Sequence, residues 1–412
     1  MAQYQGNYNT VKTIGDSRLV RLVREDGLLL EPEVGPLITF LAQIEGKMKP
    51  EQAIRVEWFE DDYIARVAQN STATVTNSTA NNVITVASGD AAKFVVGDVV
   101  MIPQATTVGG VPELVRVTAR NLSTDELTVT RAFAGTTIAT IPASTALYIL
   151  APAYAEGSAL PENKQTRPVG YTTYPQIFKK TFKISKSMAA LAPYASGGNE
   201  RKREHEKLLK QMKIDMNRAF LWSKASEDLT ATDVDGNTTR LATTMGLNSR
   251  ITTNRTNAGG NVTYDTFEAF ARQAFRYSDG QLVLLSSGIL LSAINTWGER
   301  RIQVSPEETV YGVKIRRLVT SHGEFILVRD RLLDEGISGQ TNMGHFAFAL
   351  NLEELSMFYL KGNNEDRNVH LVENKVMDGR DAYIDEALGE IGLVVRHEKK
   401  HAVMYNITGY EA

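Results

Sequence analysis

Residues 397–401 read His-Glu-Lys-Lys-His, the spacing of a zinc-protease pair of imidazoles. That chemistry needs an α-helix, on which positions i and i+4 face one metal while the intervening Glu398 activates its water. Here the pentapeptide lies between two alternating apolar runs, 391–395 and 402–407. Alternation predicts strands, so a turn is expected at 397–401. Extended chain would hold His397 and His401 about 13 Å apart. The expected structure is a solvated, charged hairpin turn.

Asp233, Asp235 and Asn237 open like a calcium loop. The pattern fails at its sixth position, Thr238 in place of Gly, and at its twelfth, Thr244 in place of Glu. A polar turn is expected instead. The glycine pairs at 109–110, 197–198 and 259–260 lack both the Walker Lys-Ser/Thr and the GxGxxG spacing, and no GxSxG elbow occurs. His205, His322, His345 and His370 stand alone in the sequence. Cysteine is absent, which excludes disulfides, thiolate zinc sites, iron–sulfur clusters and thiol nucleophiles. No catalytic, cofactor-binding or metal-ligating residue is therefore assigned. No cofactor is expected, and a non-enzymatic role is.

The chain has 412 residues, enough for about two to three domains. Its 45 Lys and Arg against 48 Asp and Glu argue against a coat that binds nucleic acid through bulk positive charge. Small basic clusters do occur, Arg201-Lys202-Arg203 and Lys179, Lys180, Lys183 and Lys186. They read as solvated faces or as contacts with an acidic neighbour. The first residues lack a basic segment followed by an apolar one, so no signal peptide is expected. No stretch approaches about 18 uninterrupted apolar residues, so no membrane span is expected. Synthesis in the cytosol is the expectation.

Residues 1–30 read as an arm, either a loosely held terminus or a segment lying on a neighbouring subunit. Residues 36–47 predict a short helix, and 52–68 alternate like a long strand around Glu60-Asp61-Asp62. From 70 to 158 the chain turns rich in Thr, Val, Ala and Gly, with short alternating runs at 83–86, 99–102, 114–117, 127–131 and 146–150. That predicts a small all-β barrel or sandwich, in which FVVGDVVM at 94–101 reads as strand, turn and strand. Alternation resumes at 166–186. The two flanking runs look like the sides of a hairpin whose tip holds the β module, since loop tips tolerate insertions.

Residues 200–224 give the strongest helix signal, with Leu208, Leu209, Met212, Met216, Ala219 and Phe220 on one stripe and Asn199 as its cap. Its charged first turns should stand in solvent or meet a partner. Residues 227–260 read as a polar loop, 263–277 as a helix capped by Thr263, 281–285 as a buried strand and 286–297 as a helix. Strands are expected at 310–329 around a turn at His322-Gly323, at 346–360 and at 369–376. The runs 393–395 and 402–407 should close the chain as a strand pair. The second half is thus α+β.

This order of parts resembles the major capsid protein of tailed bacteriophages, the shell fold shared with herpesviruses. Residues 52–68 and 166–186 look like the extended loop, 200–224 like the spine helix, and 282–297 (LVLLSSGILLSAINTW) like the strand and helix of the axial domain. Residues 388–410 look like the last strands of the peripheral domain, and 70–158 like the β domain that some members carry in the extended loop.

The resemblance implies an α+β tailed-phage capsid fold with an inserted small all-β domain. Its parts would be an N-terminal arm at 1–30 and a peripheral domain at 31–51, 187–225 and 381–412. The extended loop would be 52–69 and 159–186, the inserted domain 70–158 and the axial domain 226–380. It implies a structural protein that self-assembles, as hexamers and pentamers, into an icosahedral head around double-stranded DNA. Implied partners are a separate scaffolding protein, a portal protein, a possible cement protein, and DNA held on the inner face without sequence specificity. The implied place is the virion, after assembly in the host bacterial cytoplasm. Some members crosslink a Lys to an Asn between subunits, and Lys164 and Lys179 are candidates by location alone. Two other readings stand beside it: a β-rich tail or surface receptor-binding protein, and a metallopeptidase through His397 and His401.

Overall fold

The structure is a computed structural model. It describes residues 35–411 apart from 45, 64, 72–73, 77, 81, 104–110, 139, 191–199, 279, 302–307, 311–312, 335–342, 363–364 and 374–380. The arm expected at 1–30 and the cap expected at Asn199 lie outside the described residues. Two compact units emerge, Phe59–Gly170 and the rest of the chain.

Helix α1 (Pro36–Gln43) starts at a proline, which needs no hydrogen bond there, and buries Leu37, Phe40 and Leu41. Strand β1 (Met48–Glu51) follows, then β2 (Val56–Glu60). The long strand expected over 52–68 is thus two short ones. The run Glu60-Asp61-Asp62 ends the first, since like charges side by side have little to gain from a ladder.

The unit Phe59–Gly170 holds β3 (Val67–Gln69), β4 (Val83–Thr85), β5 (Asp98–Ile102), β6 (Glu113–Asn121), β7 (Glu126–Thr130) and β8 (Ala146–Pro152). They form one antiparallel sheet in the order β3-β8-β5-β6-β7-β4. The two end strands meet through the bridge Asn70–Val86, with Ser71 N–H to Thr85 O at 2.8 Å and Ala87 N–H to Gln69 O at 2.9 Å. The sheet therefore closes on itself as a small barrel around Ile84, Phe94, Val115, Val117 and Leu127. Among the described residues, closure pairs the two end strands with each other and so covers the edges another chain could extend.

FVVGDVVM differs from the expectation in its first half. Phe94 follows a 3-10 turn (Asp90–Lys93), and its ring is fully buried. The turn itself needs glycine: Gly97 has φ +101°, and a Cβ there would lie 2.5 Å from the Tyr154 ring. Asp98 closes it by accepting the Val95 N–H at 2.9 Å.

Beyond this unit come β9 (Val169–Thr173) and β10 (Gln176–Ser185). β9 pairs with β2 in a two-stranded sheet, whereas β10 joins a different sheet. The single long strand read over 166–186 is thus broken between them at Pro175, which has no N–H to give a ladder. A short helix α2 (Lys186–Ala190) and the long helix α3 (Glu200–Trp222) follow. At 23 residues α3 is about 34 Å long. Leu208, Met212, Met216 and Phe220, one per turn, bury its inner stripe.

Where a polar loop was expected at 227–260, the chain forms β11 (Ser226–Thr232), β12 (Thr238–Thr243), α4 (Leu247–Arg250) and β13 (Arg255–Val262). Thr and Asn on both faces of these strands hide the alternation that marks a half-buried strand. Helix α5 (Tyr264–Ala274) has the expected cap: Thr263 Oγ1 accepts the Thr266 N–H while Thr266 Oγ1 accepts the Thr263 N–H. Then come β14 (Gln281–Ser286), α6 (Gly288–Arg301), β15 (Glu308–Val310), β16 (Val313–Val319) and β17 (Glu324–Arg329). The last strands are β18 (Ala347–Leu350), β19 (Leu355–Leu360), β20 (His370–Val372), β21 (Ala382–Val395) and β22 (Ala402–Tyr410).

Two sheets organise this larger unit. One runs β13-β22-β18-β14-β17-β16-β15. β14 shows why its sequence reads as unbroken apolar: Leu282 and Leu284 enter the core with α5 and α6, while Val283 and Leu285 enter the core with α1 and α3. The other sheet runs β1-β19-β21-β10, with β20 also on β21. The closing pair expected from 393–395 and 402–407 does not form. β21 belongs to the second sheet and β22 to the first. Alternation marks a strand but does not name its partner.

Candidate functional site: charged anchors and exposed faces

The sequence patterns that suggested chemistry take structural positions. Residues 398–400 form a 3-10 turn, with His397 at φ 45°. His401 is fully buried and not solvated as expected. Its Nδ1 accepts the Asn351 N–H at 3.2 Å, and its Nε2 lies 3.1 Å from Arg396 O. Both imidazole nitrogens are thus occupied by backbone groups. Glu398 is occupied too, accepting from the N–H and hydroxyl groups of Thr252 and Thr253. Burial pushes its carboxyl up, but these hydrogen bonds outweigh burial and leave it below the ordinary carboxylate value. The pentapeptide is a structural clasp between strands of different sheets.

Asp233, Asp235 and Asn237 form the turn between β11 and β12. Asp233 Oδ1 accepts the Asp235 and Asn237 N–H groups at 3.0 and 2.8 Å. Among the described residues no three His, Asp or Glu side chains converge as metal ligands. Of the isolated histidines, His322 lies 3.0 Å from Glu268, His370 lies 2.7 Å from Asn368 O, and His205 meets Asp385.

Asp385 marks a charged anchor that sequence patterning missed. The spine helix was expected to leave its charged end in solvent or against a partner. Instead Arg201 reaches Asp385 with two nitrogens at 2.7 and 2.6 Å, and His205 Nε2 lies 2.6 Å from the same carboxylate. Asp385 is fully buried. The Arg201 guanidinium lies 4.9 Å from the Tyr383 ring centre, and its proton is held more firmly than usual, chiefly by hydrogen bonding to Asp385. β21 carries two more buried acids. Glu390 is met by Arg367 at 2.6 Å and Glu386 by Lys179 at 3.3 Å. The signal was present, because Asp385-Glu386 and then Glu390 interrupt a largely apolar run.

The two crosslinking candidates both face carboxylates. Lys179 is exposed beside Glu386. Lys164 lies 3.9 Å from Asp98, and burial lowers its pKa against the opposing pull of that acid. In the barrel, Glu113 and Arg131 form a fully buried two-pronged pair with both distances 2.7 Å.

Large apolar side chains are meanwhile left in solvent on the segments flanking the barrel. Ile54, Phe59, Leu160 and Val169 are each more than half exposed, and Tyr63 is fully exposed. Exposed aromatic and aliphatic groups concentrated on a few segments mark surfaces for protein contact.

No curated protein matches this sequence. Several capsid and shell structures are distantly similar to this chain. The capsid of cyanophage A-1(L) is 11% identical with a TM-score of 0.48, covering 96% of this chain and 99% of that one. The capsid of a native GTA particle is 6% identical with a TM-score of 0.48, covering 98% and 100%. The SrpI encapsulin of Synechococcus elongatus PCC 7942 is 10% identical with a TM-score of 0.43, covering 60% and 79%. The assignment rests on none of these distant likenesses. It rests on the profile of the SU10 major capsid protein family, which matches residues 13–408. The chain belongs to that family, and its role is that of a structural subunit of a capsid shell.

Proposed function

We propose that many copies of this chain close into an icosahedral phage head around double-stranded DNA. The carrying observation is the family match, which runs through nearly the whole chain. The exposed apolar residues Ile54, Phe59, Tyr63, Leu160 and Val169 support it, because a subunit with many neighbours can bury side chains that its own fold leaves wet. Contacts shared among several neighbours strengthen one another by effective concentration.

In this reading the barrel unit Phe59–Gly170 is the domain inserted in the extended loop, and β2 and β9 are the sides of that loop. The five-stranded sheet with α3 is the peripheral domain. The seven-stranded sheet with α5 and α6 is the axial domain. β22 would then join the axial sheet, and β19 and β20 the peripheral one, so the two domains exchange strands near the C-terminus. The role is structural and not catalytic. A separate scaffolding protein, a portal, and a cement protein on the outer surface complete the proposed partners. Packaged DNA would meet the inner face through its phosphates alone. Assembly would take place in the cytoplasm of the bacterial host.

The experiment is negative-stain electron microscopy of the purified chain, alone and with its scaffolding partner, over a range of salt. Uniform hollow shells tens of nanometres across are expected. Monomers or small rings under every condition would refute the proposal.

A further inference from the structure

Between the spine helix and α4 the chain runs out as β11 and returns as β12. These strands form a sheet of two and bond to no third strand among the described residues. A lone two-stranded ribbon is marginal in water. This one is held firmly at its root. Ser249 Oγ donates to Ser223 O at 2.7 Å, and Thr243 Oγ1 donates to Lys224 O at 2.7 Å. Arg240 binds both Glu227, at 2.6 Å, and Ile54 O, at 2.8 Å. Beyond that root its side chains are bare. Leu229 and Leu241 are more than half exposed, and Val234 at the tip is fully exposed.

The ribbon is also mainly acidic, its Arg240 being paired with Glu227 at the root. Residues 226–239 contain Glu227, Asp228, Asp233 and Asp235 and no Lys or Arg. Asp228 and Asp233 both lie below the ordinary carboxylate value, the first through the Thr230 hydroxyl and N–H, the second chiefly through the Asn237 N–H.

A surface of opposite character lies on β10. Its ten residues hold Lys179, Lys180 and Lys183 and no acid. Lys179 and Lys183 are exposed, as is the apolar Ile177. β10 ends the order of its sheet, so one of its edges bonds to no strand among the described residues.

We infer that the acidic ribbon Ser226–Thr243 of one copy docks on the lysine-bearing strand β10 of a second copy in the shell. This rests on the capsid reading. Charge favours that pairing: ribbon against ribbon repels, and although Glu386 and Asp215 meet Lys179 and Lys180, Lys183 stays exposed on β10 to attract the ribbon. The contact joins two different surfaces of the same chain, so it is head-to-tail. Such a contact generates rings, which a shell of hexamers and pentamers requires. Leu229, Val234 and Leu241 would lose water against the exposed Ile177 at the start of β10.

The test uses Asp235→Lys and Lys183→Glu, separately and together, in the full chain under the condition that yields shells from the unmodified chain. Both positions are exposed, so folding should be untouched, which circular dichroism of dissociated subunits checks. Each single change should lower the ratio of shells to free subunits by about tenfold at low salt, because attraction becomes repulsion at every copy of the contact. The double change should restore most of that ratio. Normal shells from both single variants, or a double variant no better than the worse single, would overturn the inference and leave the capsid reading standing. No shells from the unmodified chain would overturn both.

Discussion

Arg201, in the first turn of the spine helix, sets two guanidinium nitrogens 2.7 and 2.6 Å from Asp385, a buried residue 184 positions further along the chain. The pair ties the start of α3 to the first residues of β21. It therefore fixes the one end of the helix that apolar packing does not reach, since the buried stripe begins only at Leu208.

Removing the guanidinium takes its two-pronged partner from a water-excluded carboxylate that His205 also meets. Loss of one partner of such a pair costs about 3 kcal/mol. Arg201→Ala should lower the urea midpoint of dissociated subunits accordingly. Arg201→Lys should recover only part of the loss, because an ammonium cannot reproduce the two-pronged fork. Equal midpoints for all three proteins would show that the helix start is held by something else.

Asp385 also shows what the sequence could and could not reveal. The spine helix, the Thr263 cap and the β-rich stretch with its short strands were legible, because each is a local pattern of periodicity or capping. The partner of each strand was not. β10 looked like one side of a hairpin and instead joins β21, and β22 looked like the partner of 393–395 and instead joins β18. Pairing across hundreds of residues leaves no local trace. The ribbon at 226–243 was hidden for another reason: its Thr and Asn residues face water on both sides, so no alternation marks it. Of the charged anchors, only Asp385-Glu386 and Glu390 broke an apolar run visibly enough to be suspected.

Glu398 should make the molecule acid-sensitive in a definite window. Its carboxyl is lower in the folded chain than in the unfolded one. Its contribution is therefore complete above the unfolded value of about 4.3 and is lost as pH falls through the lower folded value. Glu398→Gln keeps the shape but removes the charge that accepts from Thr252 and Thr253, at a cost of about 1–2 kcal/mol at neutral pH. The difference in unfolding free energy between Glu398→Gln and the parent should narrow on acidification below about pH 4. A difference that does not change with pH would show that the charge does not carry the effect.

In the barrel, Glu113 and Arg131 are both cut off from water. Breaking such a pair from one side strands the other charge, at about 3–5 kcal/mol, whereas replacing both with apolar groups can be neutral. Glu113→Leu alone and Arg131→Met alone should each lower the thermal stability of the full chain sharply. The double variant should lie closer to the parent than either single. Additive losses in the double variant would show that the two groups act through other neighbours.

Gly246 tests how firmly the acidic ribbon is rooted. Its backbone is ordinary extended chain, φ −111° and ψ 150°, so alanine meets no conformational penalty there. The obstacle is space: a Cβ would lie 2.3 Å from Ser223 O and 2.6 Å from Ser223 N. Those atoms belong to the end of α3, where the Ser223 N–H bonds to Ala219 O at 2.9 Å. Gly246→Ala must push the helix end and the returning strand apart, at about 1–3 kcal/mol. Gly236 in the ribbon turn is the opposite case, with φ +81° and nothing within 4 Å of its Cβ position. Gly236→Ala should cost about 1 kcal/mol through backbone strain alone and leave the root in place. If the root positions the ribbon for its neighbour, Gly246→Ala should depress shell yield more than Gly236→Ala even in buffers where both subunits remain folded. Equal yields would show that the ribbon finds its partner without a rigid base.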